Sequence, residues 1–282
     1  MTRFGKTVIM VLFSIGVFLS GPGNNVQVFA ADKDLLMATT TSTDNTGLLD
    51  YLMPHFTEAT GINIRWVATG TGKALKLGEN CDVDVLLVHA PRAEQAFIDN
   101  GFGIDRQQIM YNDFVLIGPK ADPAGIRGKR ISAALRSIRS TGNVFVSRGD
   151  NSGTHKKEQM LWRNAGLPVP EQESWYRQSG QGMLATTRIA AEQNGYTLTD
   201  RGTFIKYESV EQEKLSQGIM VEGEAALLNQ YSILRLHPRH CRDVRHDQAK
   251  DLSAWLAGDA AQQLIGEFRL LGKQLFVANE NQ

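Results

Sequence analysis

From residue 34 onward, short apolar runs alternate with segments in which apolar residues recur at helical spacing. The apolar runs at 35–38, 62–68 and 83–88 predict strands, and the last of them (VDVLLV) has the pattern of a buried strand. Helical spacing at 47–60 and 72–77 predicts two helices between these strands. Because such alternation is typical of a parallel sheet covered by helices, the pattern predicts an α/β fold.

The same pattern continues through the rest of the chain. Further helices are predicted at 91–100, 132–140, 154–164, 182–194, 248–256 and 260–271, and further strands at 112–118, 143–146, 203–206 and 224–236. We expect two α/β lobes joined by two crossing segments, near 112–118 and 226–236. One lobe would comprise residues 31–114 and 233–282, and the other residues 115–232.

The first 30 residues have the pattern of a secretory signal peptide. Arg3 and Lys6 precede an apolar core at 7–20, and the sequence VFA then places small residues where a cleavage site before Ala31 requires them. An N-terminal membrane anchor is the alternative. Since no cysteine directly follows the apolar core, we expect no lipid attachment and a mature protein in the periplasm.

Charge and composition narrow the classes of function. The 282 residues include 30 Lys+Arg and 30 Asp+Glu, and 21% of all residues are charged, which is typical of a folded globular chain. Removing the signal leaves 28 basic against 30 acidic residues, a net charge near −2. Without a broad cationic face we expect no nucleic-acid binding, and any anion site must be built from local groups. We also expect no cofactor and a monomer.

The two cysteines, Cys81 and Cys241, form an even pair in a chain that we expect to be exported. Disulfides persist in oxidising compartments, so we expect these residues to be bonded to each other. Two free buried thiols are the alternative.

Three polar loops lie where a predicted strand gives way to a predicted helix. We call them the hydroxyl loop (39–47, TTTSTDNTG), the GTG loop (69–72, TGTG) and the arginine loop (147–155, SRGDNSGTH). In α/β sheets, ligands bind at such strand ends, and helix N-termini offer unpaired N–H groups to anions. Each loop alone could be an ordinary helix cap, and for the GTG loop that is the favoured interpretation. Together, the three predict a site for a compact oxyanion.

Other motif interpretations fit less well. The GTG loop lacks two residues of a phosphate-binding P-loop, since Val67 and Ala74 stand in the places of its first glycine and its Ser/Thr. Ser152 and His155 suggest a secreted serine hydrolase, but Asp150 stands where the nucleophile motif needs glycine. We expect no metal site in the polar segment that holds His237, His240, Cys241 and His246. The proposed groups donate hydrogen bonds, so we expect a binding protein and not an enzyme.

Several motifs resemble the periplasmic tungstate-binding proteins of ABC importers: TTTSTDNTGLL, GTGKALKLGENCDVDVLLVHAP, MYNDFVLIGPKADPAGIRG and FVSRGDNSGTHKKE. The resemblance spans essentially the whole mature chain. It implies a type II periplasmic binding protein fold, with the ligand in a cleft between two lobes and an ABC permease as partner. Carried onto this sequence, the family's anion motifs implicate eight residues: Thr39, Thr40, Thr41, Ser42, Arg148, Ser152, Gly153 and Thr154. Thr71 of the GTG loop is added to them as the ninth predicted residue.

The choice among oxyanions depends on whether the anion carries a proton, as well as on the resemblance. Monohydrogen phosphate carries a proton and needs an acceptor, whereas tungstate, molybdate and sulfate at neutral pH need donors only. Asp44 and Asp150 are the acidic side chains in the three loops, and each has an alternative role, as a helix cap and as a partner of Arg148. Tungstate is preferred over molybdate on resemblance alone, and phosphate- or sulfate-type binding is the alternative.

Overall fold

The structure, a computed structural model, describes residues 34–279, so the predicted signal peptide lies outside the described residues. Across this range no helix has both the length and the apolar character that crossing a membrane requires. The helices are α1 Thr41–Asp44, α2 Leu48–Thr60, α3 Thr71–Glu79, α4 Pro91–Asp99, α5 Ile131–Thr141, α6 Gly153–Asn164, α7 Met183–Glu192, α8 Arg201–Glu211, α9 His246–Ala257 and α10 Asp259–Glu267. The strands are β1 Leu35–Thr40, β2 Ile64–Thr69, β3 Val85–Val88, β4 Gly103–Pro119, β5 Phe145–Ser147, β6 Tyr176–Gln178, β7 Thr197–Asp200, β8 Gln217–Val221, β9 Leu228–Leu236, β10 Arg269–Leu270, β11 Lys273–Gln274 and β12 Val277–Ala278.

The first three strands form the predicted parallel arrangement. β1 pairs in parallel with β2 on one side and with β3 on the other, and α2 and α3 connect them. The sheet continues from β3 to β9, β4 and β12, each pair antiparallel. The carboxyl ends of β1, β2 and β3 therefore lie along one edge, which places the hydroxyl loop and the GTG loop side by side.

Strand β4 is longer than predicted and takes part in two sheet regions. Its first part, up to Asp113, pairs with β9, and its last part, from Phe114, pairs with β7 and β8. The sequence pattern predicts only the apolar part of this strand, because residues 103–109 alternate irregularly between buried and exposed positions.

The predicted strand at 203–206 is wrong, because these residues lie within helix α8. Asp200 begins this helix: its carboxylate accepts hydrogen bonds from the Thr203 N–H (2.8 Å) and the Thr203 hydroxyl (2.7 Å). The strand in this region is β7, just before the cap. The side-chain cap, which sequence periodicity does not register, fixes where the helix begins.

Four clusters of buried apolar residues cover the sheet. Two consist almost entirely of residues up to Met110 and from Tyr231 onward, and one of these also includes Ile205 of α8. The other two consist of residues between Phe114 and Leu227. The cores thus separate near the two crossing strands, β4 and β9.

The predicted disulfide is confirmed: Cys81 and Cys241 are bonded to each other. The bond joins the turn after α3 to the segment after β9. It lies against the apolar cluster that contains Ala74 and Val83.

Candidate functional site

In the hydroxyl loop, several hydrogen bonds meet at one threonine. The Thr40 hydroxyl lies 2.7 Å from the Thr43 hydroxyl and 3.0 Å from that of Ser42, and it caps α1 by accepting from the Thr43 N–H. Thr40 is 3% exposed and Thr43 is fully buried, whereas Ser42 is half-buried. The loop presents a compact set of hydroxyls at the end of β1.

The neighbouring predicted residues have different surroundings. Thr39 is fully buried, and its hydroxyl donates to the carbonyl of Leu87 (2.8 Å). The hydroxyl hydrogen of Thr39 is therefore used in a contact between β1 and β3. Thr41 is exposed at the first position of α1. Asp44, which the sequence suggests as a cap, accepts a hydrogen bond from the Trp66 indole N–H at 2.7 Å.

His89 is a residue of this region that the sequence analysis missed. Its Nε2 atom lies 3.0 Å from the Thr40 hydroxyl and 3.2 Å from the Ser42 hydroxyl, and its Nδ1 atom lies 2.9 Å from Asn229 Oδ1. His89 directly follows the buried strand β3, which is parallel to β1. In the sequence, its position directly after a buried strand indicates that His89 lies at the same edge of the sheet as the hydroxyl loop.

Polar side chains of the two crossing strands determine the tautomer of the neutral His89 ring. Asn112 of β4 and Asn229 of β9 face each other, and the Asn229 amide donates to Asn112 Oδ1 (2.7 Å) and to the Tyr231 hydroxyl (3.2 Å). Asn229 Oδ1 therefore faces His89 and accepts from Nδ1–H, which leaves Nε2 of the neutral ring as an acceptor. Burial lowers the pKa of His89, although the Asn229 hydrogen bond and the Asp200 charge act in the opposite direction.

The GTG loop and the arginine loop meet next to His89. Thr71 is the first residue of α3 and Gly153 the first residue of α6. A Cβ atom added to Gly153 would lie 3.5 Å from the Thr71 hydroxyl and 3.6 Å from His89 Cε1. Since His89 also contacts Thr40 and Ser42, the three loops that the sequence selects converge on one place.

The arginine loop combines a charge with a tight turn. Arg148 donates to Asp150 (2.5 Å) and to the Gln181 carbonyl (3.2 Å), and the other oxygen of Asp150 accepts from the Ser152 N–H (3.1 Å). Burial would raise the pKa of Asp150, but the Ser152 hydrogen bonds and the Arg148 charge lower it below its ordinary value. Gly149 has φ of 62°, and a Cβ atom there would lie 2.6 Å from the Gln178 side chain, so glycine is required. The turn fixes Arg148 beside α6.

A buried carboxyl group supports the start of this loop. Glu158 of α6 accepts hydrogen bonds from Ser147 (2.6 Å), Tyr176 (2.7 Å) and Trp162 (3.2 Å). Burial raises the pKa of Glu158 to about 7 despite these three donors. Because Ser147 directly precedes Arg148, Glu158 connects the arginine loop to the core behind it.

The geometry does not support a Ser152–His155 catalytic pair. Ser152 caps α6 by accepting from the backbone N–H of His155 (3.3 Å). The His155 imidazole instead accepts from the Asn151 N–H through Nδ1 (3.0 Å) and contacts Gln159 through Nε2 (3.1 Å). Both ring nitrogens thus contact groups other than the Ser152 hydroxyl.

Comparison with known proteins identifies the family of the chain. Residues 27–260 match the sequence profile of the PBP (periplasmic binding protein) superfamily domain. The tungstate-binding protein TupA of Campylobacter jejuni is 49% identical over 236 residues, which cover 84% of this chain and 87% of that protein. The structure of the tungstate-binding protein TupA from Desulfovibrio alaskensis G20 is 59% identical, with a TM-score of 0.83 over 88% of this chain and 99% of the other.

A second solved structure extends the comparison. The structure named as the tungstate ABC transporter from Geobacter sulfurreducens is 42% identical, with a TM-score of 0.74, and covers 84% of this chain and 100% of the other. The fold is therefore that of a periplasmic binding protein, as the sequence motifs imply. The chain belongs to the PBP superfamily and, within it, to the family of the TupA proteins.

Proposed function

We propose that this protein captures tungstate outside the cytoplasm and delivers it to the permease of an ABC importer. The observation that carries the proposal is the convergence of the three donor-rich loops at Thr40, Thr71 and Gly153. The third of these loops also carries Arg148. The named tungstate-binding relatives support the choice of anion. Molybdate, which has nearly the same size and charge, is the second expected ligand.

The charges available suit a dianion. Arg148 contributes about +1, and the N-termini of α3 and α6 contribute about +0.5 each. Hydroxyl and N–H groups add charge-assisted hydrogen bonds of about 1.5–3 kcal/mol each, which offset the hydration that the anion loses. Asp150 reduces the net positive charge, but it orders Arg148 in return.

Both carboxylates of the three loops already have partners. Asp44 accepts from Trp66, and the two oxygens of Asp150 accept from Arg148 and Ser152. Monohydrogen phosphate would have to donate its proton to the neutral His89 ring or to a hydroxyl oxygen, whereas tungstate, molybdate and sulfate need donors only. Because both carboxylates already accept from other groups, the loops favour the unprotonated dianions over phosphate.

The binding groups and lobes follow from the same reasoning. We assign the anion contacts to the nine predicted residues, with the Thr39 contribution restricted to its backbone, since its hydroxyl donates to Leu87. Residues 31–114 and 233–282 would form one lobe and residues 115–232 the other, with closure at the crossing strands. The distribution of the four apolar clusters supports these boundaries. Export through a signal peptide would place the protein in the periplasm.

Calorimetric titration of the protein without residues 1–30 tests the proposal. Tungstate should bind with a dissociation constant in the nanomolar range, about −12 kcal/mol, and sulfate and phosphate more weakly by at least about tenfold. Molybdate should compete with tungstate for one site per chain. Absence of binding with both tungstate and molybdate would overturn the proposal.

A further inference from the structure

His89 engages a hydroxyl hydrogen that a bound anion would need. The neutral ring accepts through Nε2, where the Thr40 and Ser42 hydroxyls lie at 3.0 and 3.2 Å. A hydroxyl that donates to Nε2 cannot donate to an anion at the same time, because it has a single hydrogen. If Nε2 carried a proton, it would donate to these oxygens instead, and both hydroxyl hydrogens could turn toward the anion.

The surroundings of His89 are suited to a ring of either charge. Asn229 Oδ1 accepts from Nδ1–H in both forms, Asp200 contributes a negative charge, and the Tyr231 ring lies 4.7 Å away, centroid to centroid. On the other side, the arginine loop approaches at Gly153 and carries Arg148, Asp150 and His155. Burial disfavours a positive charge on the His89 ring. A dianion beside the ring would stabilise that charge by attraction.

We propose that His89 is a positioning residue of the anion site that changes from hydrogen-bond acceptor to donor when the anion binds, by taking up one proton from solvent at Nε2. The inference rests on the proposed function. Imidazole becomes imidazolium, and the hydroxyl that donates to Nε2, that of Thr40 or of Ser42, is released to donate to the bound oxyanion. Through Asn229 and Asn112, the same ring connects the hydroxyl loop to both crossing strands.

Calorimetry in several buffers at pH 7.0 tests this proposal, with tungstate as the probe and phosphate buffer avoided. The slope of the binding heat against the ionisation enthalpy of the buffer gives the number of protons taken up. The wild-type protein should take up a fraction of a proton, up to one. His89→Gln should take up none and should bind tungstate about tenfold more weakly at this pH.

Two other histidines provide the comparison. His55 is exposed on α2, so His55→Gln should retain both affinity and proton uptake. His155→Gln should retain proton uptake whatever its affinity. Glu158→Gln should retain it as well, although it removes a buried group whose pKa is about 7. Uptake that persists in His89→Gln, or that disappears in His155→Gln instead, would overturn the proposal.

The outcomes separate this proposal from the proposed function. Tungstate binding with the same heat in every buffer would contradict proton uptake alone, whereas no binding in any buffer would contradict the function. Should His89→Gln fail to fold, NMR of the wild-type histidine rings at pH 7.0 replaces it. One ring with a nuclear Overhauser contact to Thr40 should convert to the protonated form on addition of tungstate; no conversion would overturn the proposal.

Discussion

The two sides of the proposed site use different chemistry. On one side, the hydroxyl loop, the GTG loop and His89 present hydroxyl, N–H and imidazole groups without a formal charge at neutral pH. On the other, the arginine loop presents an ion pair between Arg148 and Asp150. The supports behind them differ as well: a disulfide crosslinks the segments after α3 and β9, while the buried Glu158 connects the arginine loop to its core.

This difference indicates a division of roles. The neutral donors of the first side determine the shape of the site and the number of hydrogen bonds that it offers. The arginine contributes a fixed positive charge, which suits a dianion. It also indicates that the two sides are sensitive to different conditions. Loss of the disulfide should affect the hydroxyl side. A change of pH through neutrality should affect Glu158, which supports the arginine side, and should affect the hydroxyl side through His89 alone.

The largest expected effect is the loss of folding stability when the disulfide is removed. Replacing both cysteines (Cys81→Ser with Cys241→Ser) should lower the free energy of unfolding by up to about 5 kcal/mol, because the bond closes a loop with a sequence separation of 160 residues. Denaturant unfolding of the variant and of reduced wild-type protein measures this. A loss below about 1 kcal/mol in both would show that the crosslink does not support the hydroxyl side.

Glu158 should make stability depend on pH in a defined direction. Its pKa is raised from 4.5 to about 7 in the folded protein, so its stabilising contribution is complete below about pH 4.5 and is lost as the pH rises through about 7. Relative to Glu158→Gln, the wild type should therefore lose up to about 3 kcal/mol over that range. Unfolding free energies of both proteins at several pH values test this, with exposed Glu58→Gln following the wild type. A difference that is constant with pH would contradict the account.

Arg148→Gln removes the charge of the arginine side. Tungstate affinity should fall by more than about tenfold, at least about 1.4 kcal/mol, because the site loses the charge and the hydrogen-bond donors of the guanidinium group. Arg163→Gln, an exposed residue at the other end of α6, is the matched control and should bind as the wild type does. Equal affinities in a calorimetric titration would remove Arg148 from the site.

The smallest of these effects concerns one hydroxyl group. Thr40→Val keeps the shape of the side chain but removes the oxygen that lies near Ser42, Thr43 and His89, and it should weaken tungstate binding by about fivefold to tenfold. Thr40→Ser keeps the hydroxyl and should bind within about threefold of the wild type. If the two variants bind alike, the hydroxyl is not part of the binding arrangement.

Much of this arrangement was predictable from the sequence. The parallel strands, the three loops and the disulfide follow from apolar spacing, from polar residues at strand ends and from an even cysteine pair in an exported chain. The side-by-side placement of the loops from residues 39 and 69 follows from the rule that the ends of parallel strands share an edge. The loop from residue 147 follows β5, which pairs with β6 in a separate sheet, so only the motifs predicted that it joins them.

Other features depend on contacts that the sequence pattern does not record. The start of α8 is fixed by the Asp200 cap, so a short apolar segment at 203–206 was mistaken for a strand. His89 lies near the hydroxyl loop because β3 is adjacent to β1. Its second hydrogen-bond partner, Asn229, is distant in the sequence. Glu158 is similar: its three donors come from three different elements.

The central claim is that the two sides bind one tungstate together. The most direct test is a crystal structure of the protein with tungstate, with data collected at a tungsten absorption edge so that anomalous scattering locates the metal atom. The account predicts one strong peak between the hydroxyl loop and the arginine loop, with tungstate oxygens in hydrogen-bond contact with both Thr40 and Arg148. A peak that contacts one of these loops alone, or that lies elsewhere on the molecule, would contradict it.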